Sequence, residues 1–95
     1  MRSIITDNYE ECYLCHRYIG DGTGEEHHIF GGANRKNSEK YGLKVPLCHA
    51  CHNEPPMGVH FNAVMRNALK ATAQEIFEEE YGYEEFMKIF GRNYL

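Results

Sequence analysis

The sequence predicts a small α+β domain in which two short strands precede a long helix and a brief second helix, with four cysteines stapling the strand region. Two observations carry this reading. The cysteines fall in two Cys-x-x-Cys pairs, and beyond Gly58 the apolar period changes from two residues to about 3.6.

At 95 residues the chain has room for one domain, taken as residues 1–95, and little apolar interior to hold it closed. Chains this short commonly need a staple. No N-terminal apolar run reads as a signal peptide or membrane span, so the expectation is a cytoplasmic protein without a membrane partner. In a reducing compartment, Cys12-Tyr-Leu-Cys15 and Cys48-His-Ala-Cys51 read as metal ligands before they read as disulfides. Four thiolates are the donor set of a closed tetrahedral structural Zn²⁺ site. Joining the pairs closes a long loop that a small core could not hold by itself.

Residues 1–11 form a polar lead-in with an Ile4-Ile5 patch. After the first knuckle, the glycines and Asp of Tyr18–Gly24 signal a turn, and Glu26–Phe30 alternates like a short strand that Gly31-Gly32 ends. A polar loop over Ala33–Gly42 leads to a second strand, Leu43–Leu47, whose Pro46 confines it to an edge or to a strand end. Beyond the breaker cluster Glu54–Gly58, the long helix is expected to bury Phe61, Met65, Leu69, Ala73 and Phe77, joined by Val64, Ala68 and Ile76. Gly82 stops it. Glu84–Phe90 forms the second helix, offering Phe86, Ile89 and Phe90, with Gly91 as its stop.

The net charge of -4 argues against an anionic partner only on average. Acidic residues gather from Glu75 onward, whereas Arg35, Lys36, Lys40 and Lys44 face only Glu39 between Gly31 and Lys44. It is this local charge that would meet a phosphate, so Arg35 and Lys36 are candidate nucleic-acid contacts.

Six histidines add a second constellation. His27 and His28 are neighbours on a strand and point to opposite faces unless the strand bends. His52 follows the last cysteine directly, and His60 lies near the start of the long helix. His16 and His49 are read as structural.

Together these markers resemble the HNH (ββα-metal) endonucleases, in their four-cysteine subgroup and its small phage or prophage versions. The resemblance covers about Cys12 to Asn62 and is carried by the first Cys-x-x-Cys, Glu26-His-His-Ile-Phe-Gly-Gly32, Asn34-Arg-Lys36, Leu47-Cys-His-Ala-Cys-His52 and Val59-His-Phe-Asn62. It implies a ββα-metal core over about residues 12–62, with a helical part over about 58–95. It also implies His27 as a ligand of a catalytic divalent metal (Mg²⁺, Mn²⁺ or Ni²⁺), His28 as general base, and His60 with His52 as the remaining ligands. Where the family commonly carries an Asn before the second strand, this chain has Leu43. Asn34, with Asn37 as its alternative, is therefore the expected support of the base. Pro55-Pro56 between His52 and His60 excludes a one-turn pair on a helix.

The resemblance implies metal-dependent hydrolysis of DNA phosphodiesters. A divalent ion held by imidazoles can neutralise developing charge on phosphate and leaving oxygen. An imidazole, which titrates near neutrality, can take the proton of the attacking water. The alternative is a non-catalytic zinc module that binds nucleic acid or protein. Cleavage specificity and oligomeric state are not legible in the sequence.

Overall fold

A computed structural model describes all residues from Met1 to Leu95. The chain folds as a small α+β structure with one two-stranded antiparallel sheet and helices packed around it. Strand β1 (Glu25–His28) pairs with β2 (Lys44–Leu47) in the register Glu25 to Leu47, Glu26 to Pro46, His27 to Val45 and His28 to Lys44. No helix is long and apolar enough to cross a membrane.

The sequence places the first strand one residue late, and β2 is buried along its whole length. Its outer edge is covered by the lead-in and the first knuckle. Ser3 Oγ donates to the Lys44 carbonyl at 2.6 Å, Ile4 N to Gly42 O at 2.9 Å, and Tyr13 N to Pro46 O at 2.9 Å. Pro46 thus supplies an acceptor where it has no donor to lose. Gly42 takes φ of +71°, and a Cβ there would collide with the Arg2 carbonyl, so this turn requires glycine.

The loop expected over Ala33–Gly42 is corrected by the structure. A 3₁₀ turn at Gly32–Asn34 leads into helix α1 (Arg35–Tyr41). Its only fully buried residue is Ser38, whose Oγ accepts from Phe30 N at 2.9 Å and donates to Phe30 O at 2.8 Å. A helix docked through a serine leaves no apolar period to read. A five-residue helix, α2 (His49–Asn53), follows the second cysteine knuckle.

Helix α3 (Ala63–Tyr81) begins later than the apolar period suggests, because Asn62 caps it by accepting from Met65 N at 3.0 Å. Phe61 therefore lies outside the helix and is exposed, as are Val64 and Ala68. The face that packs is Leu69, Ala73, Gln74 and Phe77. After Gly82 the chain turns into α4 (Tyr83–Phe90), which buries Phe86 and Phe90. These rings meet Phe30, two residues beyond β1, with centroids 5.6 and 4.6 Å from it, and so fasten the helical pair to the sheet.

Candidate functional site

Cys12 and Cys15 share a knuckle in which Cys15 N donates to Cys12 Sγ at 3.5 Å, and an isolated bridge between Glu11 and Tyr18 closes it. Cys48 precedes α2 and Cys51 lies within it. The four sulfurs lie within 4.8 Å of one another, with Cys15 and Cys48 at 3.6 Å. Burial opposes ionisation of Cys12, but backbone N–H groups of Cys15, Cys48 and Leu14 outweigh it and hold the thiol down to about 6. Burial and then the thiols of Cys48, Cys15 and Cys12 push Cys51 up. Four thiolates at this spacing need a shared cation to ionise together, so Cys12, Cys15, Cys48 and Cys51 are positioned to bind a metal such as zinc.

A second cluster forms where α2 meets β1. His27 on the strand, His52 on α2 and His60 before α3 bring ring nitrogens within 4.8 Å of one another. His52 Nε2 and His60 Nε2 are 3.0 Å apart, and the His27 ring lies 5.2 Å from His52 and 5.4 Å from His60, centre to centre. Two nitrogens each about 2.0–2.1 Å from one ion lie roughly 3 Å apart.

His27 is only 4% exposed, and its Nε2 is a buried polar atom with no hydrogen-bond partner. Leaving such a group unmatched costs about 1–3 kcal/mol. Burial, then the charges of His52, His60, His28 and Lys70, pushes this imidazole down to about 3. It therefore stays neutral, the form that can donate a lone pair to a cation.

The sequence reading missed Glu25. Its carboxylate accepts from His49 Nδ1, His52 Nδ1 and Asn53 Nδ2, each at 2.8 Å, and the bonds from His49 and then His52 hold it down to about 2. With Nδ1 engaged, His52 turns Nε2 toward His60. His49 is held over Glu25 by the same contact.

His28 leaves β1 on the side opposite His27, as the alternation requires, and as the last residue of the strand it still borders the same cleft. Its Nε2 lies 3.0 Å from Glu39 Oε1, and Glu39 Oε2 accepts from Lys44 Nζ at 2.7 Å. Lys44, opposite His28 in the sheet, also lies 3.3 Å from Glu26. Of the basic stretch, Lys44 is thus turned inward and neutralised. Asn34 Oδ1 accepts from Asn37 Nδ2 at 3.1 Å, so the two asparagines bond to each other while Glu39 contacts His28.

His27, His28, His52, His60 and Arg35 line one cleft of about 340 Å³, with Glu26 and Gly31-Gly32 completing it. Lys36 is exposed and lies outside that lining. Comparisons with family models, with curated proteins and with solved structures return no match.

Proposed function

We propose that the chain is a metal-dependent endonuclease of the HNH (ββα-metal) type that hydrolyses DNA phosphodiester bonds. One observation carries the reading: the orphaned, neutral His27 Nε2 faces His52 and His60 in the same cleft that holds His28 and Arg35. Three imidazoles that converge in this way suit a divalent transition ion better than they suit a hydrogen-bond network, because neither of the other two rings offers a partner to His27 Nε2.

In this reading His27, His52 and His60 hold a catalytic divalent ion, which when bound neutralises charge on the scissile phosphate and the leaving 3′-oxygen. His28 takes the proton of the attacking water. Its Nε2–H donates to Glu39, which leaves the Nδ1 lone pair as the base. Arg35, exposed at the rim, faces the incoming phosphate. Cys12, Cys15, Cys48 and Cys51 hold structural zinc and take no part in the chemistry.

Incubating the protein with supercoiled plasmid under Mg²⁺, Mn²⁺ or Ni²⁺ tests the proposal. Nicked or linear product that appears with added ion and disappears with chelator is the expected result. Protein that retains zinc and binds DNA but leaves the plasmid intact under every ion would make it a non-catalytic zinc module.

A further inference from the structure

Three cations outside the lining of the histidine cleft are brought together by the C-terminal tail. Gln74, fully buried on α3, accepts from Tyr94 N at 2.7 Å and donates to Asn93 Oδ1 at 2.9 Å, so the last residues fold back along the helix. That turn brings the Tyr94 ring against both Lys70 Nζ, 5.3 Å from its centre, and Arg92 Cζ, 5.2 Å from it. Arg66, one turn before Lys70, donates Nη1 to the Val59 carbonyl at 2.9 Å and is thereby anchored beside the residue that precedes His60.

None of the three has a carboxylate within ion-pair distance. The placement of Arg66 in the first turn of α3 also runs against helix stability. The α3 dipole favours acids in the first turn and cations in the last. Yet α3 has no acid in its first turn and no cation in its last, where Glu78, Glu79 and Glu80 stand instead. Arg66 is held against Val59, next to the cleft residue His60, so the cluster borders the cleft. A chain of net charge -4 thus leaves three like charges crowded and unpaired beside its histidine site.

We propose that Arg66, Lys70 and Arg92 form the phosphate-binding surface for the DNA strand that runs past the histidine cleft, with Tyr94 as the platform that holds Lys70 and Arg92 in place. The inference deepens the nuclease reading and rests on it for the identity of the polyanion. Arg35, the first residue of α1, then contacts the same backbone from the rim of the cleft.

The test is the affinity of the full chain for a labelled DNA duplex without added divalent ion, measured across a salt series. Lys70→Gln/Arg92→Gln should bind about tenfold more weakly at moderate salt, and its salt slope should shrink by about 0.9 for each phosphate no longer neutralised. The control Arg17→Gln/Lys88→Gln removes the same charge from exposed positions and should leave the slope as in the parent. Arg92→Glu, on the exposed tail, repeats the test without altering α3. Unchanged affinity and slope in both cluster variants, an equal loss in the control, or a parent that binds no duplex would overturn the inference. A parent that binds duplex through these cations but never cleaves it keeps this inference and defeats only the nuclease reading.

Discussion

The Glu39 carboxylate bridges His28 Nε2 at 3.0 Å and Lys44 Nζ at 2.7 Å, which ties the proposed base to a buried cation across the sheet. Glu39→Gln keeps the shape and removes the charge that fixes the His28 ring. Plasmid cleavage should fall by about tenfold or more, yet by less than the roughly 10²–10⁴ that a general base supplies. Metal requirement and zinc content should stay as in the parent. Full activity in this variant would detach Glu39 from the chemistry.

Removing the base and removing a ligand should differ in kind. His28→Ala should lower cleavage by about 10²-fold or more while DNA binding and melting stay close to those of the parent. His27→Ala and His60→Ala should instead regain part of their activity as Mn²⁺ is raised. An identical response of all three variants to added ion would show that the roles are wrongly assigned.

Glu25 makes a separate prediction, because it touches His52 without itself lining the cleft. Glu25→Gln should raise the divalent ion concentration needed for half-maximal cleavage by about 10–100-fold, as loss of an outer partner of a metal-ligating histidine commonly does. An unaltered metal titration would reduce Glu25 to a structural contact.

Elemental analysis of the reduced protein should find one tightly held zinc per chain, before any catalytic ion is added. Cys48→Ser should lose it and with it cooperative unfolding, since the loop between the knuckles then depends on a small core alone. Unchanged melting in Cys48→Ser would refute the structural role.

The two phenylalanines that share the apparent helical stripe should behave oppositely. Phe77 is fully buried against Tyr41, Phe86 and Phe90, and Phe77→Ala should cost about 3–5 kcal/mol, a large part of the stability of a small domain. Phe61 is 59% exposed, and Phe61→Ala should change stability by about 0.5 kcal/mol or less. Denaturant melts of the two variants decide it.

The contrast marks where the sequence was legible. Both strands, the long and the brief helix at the C-terminus and the four-cysteine cluster follow from alternation, from the 3.6 period and from ligand spacing. Helix α1 was hidden because its docking residue is Ser38, and α2 because five residues carry no period. The late start of α3 followed from Asn62, a cap that the preceding Phe61 masked. His27, His52 and His60 could be singled out by residue type, whereas Glu25 and Glu39 could not. Each is an ordinary surface acid in the sequence, and only the pairing of β1 with β2 and the docking of α1 and α2 bring them against histidines.

The five residues of α2 include Cys51 of the thiol cluster and His52 of the imidazole cluster, and Cys48 caps them. A segment this short does not hold helical form alone. In the proposed nuclease, assembly would then be sequential. The thiol-bound ion would fix α2 first, and only then would His52 have a direction in which to meet His27 and His60. Metal-stripped protein of that kind should show a lag before it becomes competent, set by the first ion and insensitive to the second, so that supply of one metal would time the use of the other.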